Sequence, residues 1–285
     1  MKLVTLNSAT GPCAGLVRDE RVFPAPELVS GAPATAIEII AQWDRLRTPL
    51  AEALRTAKGG APLSEVKLMA PIPRPGKILA IGLNYADHVA ESGVATPENQ
   101  IWFAKMPTSV NGPFDPVVIS RAGQFVDYEV ELVAVIGRRG RHISVEQAPS
   151  HVFGWSVGND VTERFWQHRT PQWTVGKSFD THAPYGPWIT TSDEVADPHA
   201  LDVRCIVNGA RRQSSNTRHL IFDVWAQIAH LSQAMTLEPG DLIFTGTPGG
   251  VGAAMDPRQF LKPGDVVRCE VEGLGAIENA CVAEE

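Results

Sequence analysis

The chain has 285 residues, with 25 lysines and arginines against 32 aspartates and glutamates, for a formal charge of −7. That balance argues against a nucleic-acid surface, and no apolar run approaches the length of a membrane span. The four cysteines form no metal-like pairs, and the N-terminus lacks a basic region followed by an apolar core, so a cytoplasmic protein with reduced thiols is expected.

Residues 1–70 read as a small N-terminal domain. Met1 to Leu6 suggests a strand, and Gly15–Val17 with Arg21–Phe23 suggests a hairpin. Helical spacing runs from Ala36 to Ala57, and Pro49 should split it, because proline removes a backbone hydrogen bond. The proline-rich stretch Ala70 to Gly76 then leads into a second domain, 71–285.

That domain opens on a short apolar strand, Lys77 to Gly82, followed by Asn84-Tyr85-Ala86-Asp87-His88 and a helical turn or two ending at Gly93. On a helix His88 and Glu91 share a face. Such a pair suits a general base, whose imidazole the carboxylate orients, and equally suits a solvated surface pair. The segment from Asp87 to Asn99 has few large apolar side chains, which predicts a mobile lid. Lys105 reads as a pocket lysine or as an ordinary surface one.

The stretch Phe125 to Gly137 is a β-strand by composition. Residues two apart share a face, so Glu129 and Glu131 lie side by side. Two adjacent carboxylates on so apolar a strand are costly to bury unpaired, and a hard divalent cation removes the conflict. A second apolar strand, His151 to Asn159, ends at Asp160, which offers a third oxygen ligand or caps the next element. Val161 to Gln167 reads as a short helix. Lys177, placed where a strand should begin after Trp173, could steady a developing oxyanion or offset the acidic cluster. Asn208-Gly209 signals a hairpin, and Asp223 should cap a helix bearing Val224, Ile228 and Leu231. A glycine-rich loop comes after Phe244, without the lysine-serine ending of a phosphate loop. Glu270-Val271-Glu272 repeats the Glu-Val-Glu spelling on a strand of alternating polarity, where solvated charges are expected.

Five motifs together resemble the fumarylacetoacetate hydrolase family. They are Gly82 to His88, Tyr128 to Leu132, Gly158 to Val161, Trp173 to Thr181, and Thr245 to Pro248, in the family's order. The resemblance implies a predominantly β, α+β fold, a mixed β-roll, assembled as a homodimer. It implies Mg²⁺ or Mn²⁺ (Ca²⁺ in crystals) on Glu129, Glu131 and Asp160. His88 and Glu91 would form the base, Gln167 would position a water, and Lys177 would steady the oxyanion. Thr247, Tyr85 and Ser109 would lie against the substrate. The implied activity is C–C hydrolysis of an acylpyruvate or related β-diketo acid through an enolate whose charge the cation spreads. The alternative within the family is 2-oxo acid decarboxylation or keto–enol isomerisation. Relatives carry a carboxylate where Phe165 stands and arginine where Val175 stands, so the outer substrate contacts differ here.

Overall fold

The computed structural model describes residues 1–9 and 11–285 and shows an α+β chain dominated by strands. Ten strands form the main path of a twelve-stranded mixed sheet. Its centre is Val130–Ile136, hydrogen-bonded on one side to Val152–Asn159 and on the other to Leu242–Phe244. Every residue of Val130–Ile136 is buried. Val130, Leu132, Ala134 and Ile136 face one core, and Val133 and Val135 face another. Both faces of the strand are therefore covered, which is why it reads as a continuous apolar run.

The first core lies between this sheet and a five-stranded one, ordered Ala210–Asn216, Asp202–Val207, Val266–Val271, Gly275–Ala283 and Val117–Ile119. The helix Val224–Ala234 adds Val224, Ile228 and Leu231 to it, and Asp223 caps that helix by accepting from the Ala226 amide at 2.8 Å. The Asn208-Gly209 hairpin forms as expected, with φ of 51° and 78°, the left-handed pair that an Asn-Gly turn supplies.

The N-terminal segment does not fold away from the rest. Lys2–Ser8 pairs with Ala183–Thr191 inside the large sheet. Ile39, Ile40, Leu46 and Leu50 share the second core with Ile78, Val133 and Phe244. Residue 70 thus falls between the short strand Leu68–Met69 and the strand Ile78–Gly82, with one sheet and one core continuing across it. The helical region does divide, but at Gln42, giving Ala36–Ala41 and Trp43–Thr56. Pro49 sits inside the second helix, where burial of Leu46, Leu50 and Leu54 outweighs the hydrogen bond that proline removes.

Candidate metal centre and active site

Register builds the acidic cluster. Val130 lies opposite Asn159, and the pairing continues past the strand end, where the Asp160 amide donates to the Glu129 carbonyl at 2.8 Å. Asp160 is thereby set beside Glu129, and Glu131 lies next along the same face. One carboxylate oxygen from each of the three lies within 4.8 Å of the others, and all three residues are buried. The expected strand Phe125 to Gly137 is broken at Tyr128 and Glu129, into Val126–Asp127 and Val130–Ile136.

Four buried carboxylates meet three buried cations here. Lys177 Nζ donates to Glu129 Oε2 at 2.7 Å and to Asp160 Oδ2 at 2.6 Å. Lys105 Nζ donates to Asp160 Oδ1 at 2.6 Å and also reaches the Lys177 carbonyl. Arg164 bridges Asp127 Oδ2 at 2.8 Å and Glu129 Oε1 at 2.7 Å. Glu131 is left with the Gly246 amide, which donates to it at 2.7 Å. The electrostatic consequence separates two glutamates two residues apart. Burial pushes Glu129 up, but Lys177 and Arg164 outweigh it and hold the carboxyl at about 2. Burial, with Asp160 and Glu129 adding repulsion, pushes Glu131 well above the usual carboxylate range. One buried carboxylate without a cationic partner, in an all-oxygen set, is the donor arrangement that a hard divalent cation completes.

The base pair assembles over the same site. Helix Ala86–Ser92 carries His88, only 9% exposed, and Glu91. His88 Nδ1 stands 3.6 Å from Glu91 Oε2, an electrostatic contact longer than a hydrogen bond. Burial pushes the Glu91 carboxyl up; contacts with His88 and the Gly250 amide more than reverse this and leave it lowered. That amide donates to Glu91 at 2.9 and 3.0 Å, and Asp87 Oδ1 accepts from Gly249 at 3.3 Å. The helix is thus docked onto the glycine-rich loop, with Val89 buried and Val94 exposed. Gly246 in that loop has φ +107°, and a Cβ there would meet Asn84 Cβ at 2.8 Å, so glycine is required twice over.

A cavity of about 740 Å³ opens on these groups, and His88, Glu91, Glu129, Glu131, Lys177, Gln167 and Thr247 all line it. Gln167 accepts from Arg164 Nη1 at 3.0 Å. Thr247 donates to the Val130 carbonyl at 3.0 Å and accepts from Gln213 at 2.8 Å. Ser109 and Tyr85 do not line this cavity. Ser109 is buried away from the cavity with its hydroxyl donated to the Met106 carbonyl at 2.7 Å. Tyr85 is fully buried, and burial and Glu131 raise its hydroxyl. Being in a motif placed each near the site in sequence, but the side chain turned into the fold. Lys177 is also carried by a turn and not by a new strand. Of the large aromatics, Trp173 lines the cavity while Trp155 and Tyr185 fill the cores.

Residues absent from the sequence-level site hold it together. Lys105 is 1% exposed and is no surface lysine. Asp127 accepts from the Gly252 and Ala253 amides at 2.8 and 3.0 Å and so ties the glycine-rich loop to Arg164. Gln213 accepts from the Val130 amide at 2.9 Å and donates to Thr247 and to the Pro248 carbonyl, both at 2.8 Å. The sequence signal available for Lys105 was its place at the end of an apolar strand; Gln213, on a polar hairpin strand, offered none.

Comparison with known proteins corrects the activity. The chain is 45% identical over 252 residues to the bovine protein named oxaloacetate tautomerase FAHD2B, mitochondrial, covering 88% of this chain and 80% of that one. The human oxaloacetate tautomerase FAHD2A, mitochondrial, shows the same identity and coverage. A crystal structure of maleylpyruvate hydrolase from Sphingobium sp. SYK-6, in complex with manganese(II) and pyruvate, matches with a TM-score of 0.86. It is 34% identical, with both chains covered completely. The tautomerases, more similar in sequence, overturn the expectation of a C–C hydrolase. The physical reason is that an imidazole–carboxylate pair beside an acidic cluster suits proton removal from carbon and from water alike, so its presence does not choose between the reactions. The mitochondrial names of the same relatives overturn the cytoplasmic expectation, which rested only on scattered thiols and an unremarkable N-terminus. The donor set and the manganese-bound neighbour support metal dependence. Residues 77–282 match the model of the fumarylacetoacetate (FAA) hydrolase C-terminal domain, and the chain belongs to the fumarylacetoacetate hydrolase family.

Proposed function

We propose that the chain is a divalent-cation-dependent keto–enol tautomerase acting on a small 2-oxo acid of the oxaloacetate type. The observation that carries this reading is 45% identity to named oxaloacetate tautomerases across 88% of the chain. Glu129, Glu131 and Asp160 would hold Mg²⁺ or Mn²⁺. When bound, the cation supplies positive charge that lowers the cost of enolising a 2-oxo acid.

The chain's own residues supply the proton traffic. Glu91 faces His88 Nδ1, so Nε2 is the nitrogen left to exchange a proton with substrate. In the keto-to-enol direction the C3–H bond breaks as its proton passes to His88 Nε2, the C2–C3 double bond forms, and the His88 imidazolium then gives a proton to the 2-oxygen and is neutral again. The reverse path returns the proton to C3, and no co-reactant is consumed. Lys177 holds Glu129 and Asp160 in place and adds positive charge where the enol oxygen develops. Gln167 and Thr247 orient the acid at the cavity wall, and docking of helix Ala86–Ser92 excludes bulk water. A homodimer belongs to the same reading and is checked by sedimentation.

The test tracks decay of the enol absorbance of freshly dissolved oxaloacetate with the protein and Mg²⁺ or Mn²⁺. Acceleration that is lost on chelation and restored by metal supports the reading. A rate equal to that of metal alone overturns it.

A further inference from the structure

A four-carbon dicarboxylic acid leaves most of the cavity unexplained. A space of about 740 Å³ lies in the range that buries a drug-sized ligand. Besides the acidic cluster and the His88–Glu91 pair, the wall carries the large apolar side chains Val94, Phe125, Phe165, Trp173, Val251 and Phe260, interrupted by His168, Arg169 and Arg258. Phe125 and Phe165 are 41% and 43% exposed, an expensive way to present large rings to water unless something covers them. The rings of Phe125 and Phe260 lie 5.0 Å apart and tilted, leaving faces and edges suited to a third ring. Arg169 stands over Phe165 at 5.8 Å and over Trp166 at 4.9 Å, so this guanidinium is already engaged with aromatic faces.

We propose that this outer wall receives an aryl group carried on C3 of a 2-oxo acid, and that the protein enolises arylpyruvates. The inference rests on the tautomerase reading and names a substrate class for the same site. The chemistry favours it. In an arylpyruvate the C3–H bond is benzylic, and the enol's double bond conjugates with the ring. The same proton leaves C3 for His88, which exchanges it with solvent and returns one to the 2-oxygen, so the reaction remains an isomerisation with nothing added or lost. The polar 2-oxo acid head lies toward the acidic cluster, and the ring projects from C3 toward Phe165 and Phe260.

The test offers phenylpyruvate, oxaloacetate and 2-oxoadipate separately to the Mg²⁺-loaded protein in D₂O. Deuteration at C3 is measured by NMR against a protein-free metal blank. Exchange of phenylpyruvate above the blank supports the inference. Exchange of oxaloacetate without phenylpyruvate overturns it and leaves the tautomerase reading standing; exchange of none overturns both. Faster exchange of 2-oxoadipate than of phenylpyruvate assigns the outer wall to a terminal carboxylate on the arginines and also overturns it. Binding is read independently by calorimetry, where N-phenyloxamate should bind at least about tenfold tighter than oxamate. In F165S and F260S the phenylpyruvate-to-oxaloacetate ratio of kcat/KM should fall about tenfold. An unchanged ratio in both variants removes the wall from recognition.

Discussion

Glu129-Val130-Glu131 and Glu270-Val271-Glu272 are spelled alike, one at the start of a strand and the other at the end of one, yet they do opposite things. The first pair begins a strand whose two faces are both buried, and its carboxylates converge with Asp160. The second straddles the end of Val266–Val271, with Glu272 in the turn beyond, and burial alternates along that strand: Val267, Cys269 and Val271 enter the core and Arg268 and Glu270 point outward. There Glu270 accepts from Arg268 Nε at 2.6 Å at a partly exposed site, an ion pair of the kind worth little. Glu272 accepts from the Asp202 amide at 3.1 Å. The difference teaches that the chemistry of a Glu-Val-Glu sequence is set by what covers the strand. Cover removes the water that would solvate the charges, and cations must then take its place.

The sharpest way to break this comparison is to neutralise one glutamate in each pair. E131Q should abolish tautomerase activity and metal binding, because the donor without a cationic partner is the one the metal needs. It should also leave the metal-free fold as stable as before or slightly more so, since an unpaired buried carboxylate is removed. E129Q should instead cost about 3–5 kcal/mol, because it takes from the buried Lys177 and Arg164 one of the two carboxylates that each holds. E272Q should change stability by no more than about 0.5 kcal/mol and activity not at all. Manganese titration, thermal melts and enol decay on the three variants decide it. Equal behaviour of E131Q and E272Q would mean that the acidic cluster is ornamental.

Next in size is the base. H88A should lower the rate of tautomerisation by roughly 10²–10⁴-fold while metal affinity stays the same, because His88 serves as a base and not as a ligand. Metal affinity that fell with the rate would place the imidazole among the ligands.

Much of this site could be read from the chain, for a physical reason. The register that brings Asp160 to Glu129 comes from two long apolar strands, and such strands announce themselves. His88 and Glu91 share a helical face by spacing alone. The hidden part depends on contacts between segments far apart. Lys105 and Asp127 are ordinary charges until the fold buries them. The N-terminal segment looked separable because nothing in Lys2–Ser8 shows that it will pair with Ala183–Thr191. Pro49 looked like a helix break because propensity is local, whereas Leu46, Leu50 and Leu54 are fixed by a core elsewhere. The choice between hydrolysis and tautomerisation was hidden for a different reason: both call for the same kind of base beside the same acidic cluster, and only the source of the proton, water or C3, differs.

A third prediction extends the lesson about cover to a group outside the ligand set. His182 is fully buried, and its Nε2 donates to the Val118 carbonyl at 3.1 Å. Burial first, then the neighbouring Lys105 charge, lower its pKa from 6.5 to about 3. The folded state therefore keeps the ring neutral, while the unfolded chain takes up a proton below its ordinary pKa. Stability from this group is present above that value and is lost as pH falls from 6.5 toward 3. By about pH 5 the loss is on the order of 2 kcal/mol. Denaturant unfolding at neutral and mildly acidic pH should show a shallower acid dependence in H182Q than in the parent. Parallel curves would mean that His182 is protonated in the fold.

The smallest expected effect concerns the cover itself. Glu131 shares its cavity with helix Ala86–Ser92, which is docked on the glycine-rich loop through Glu91 and the Gly250 amide. A hydrogen bond to a charged group contributes about 1.5–3 kcal/mol, and few other contacts hold this segment, with Asp87 accepting from Ser215 at 2.6 Å as the main one. E91A should raise amide exchange of residues 86–92 by at least about tenfold, the equivalent of about 1.4 kcal/mol, and leave exchange along Val130–Ile136 untouched. Adding Mg²⁺ and oxalate to the parent should slow exchange in the same segment, because closure excludes solvent above the acids. If exchange in 86–92 is the same in E91A, in the parent and in the oxalate complex, the helix is a fixed wall, and the site is covered by the fold alone without a closing element.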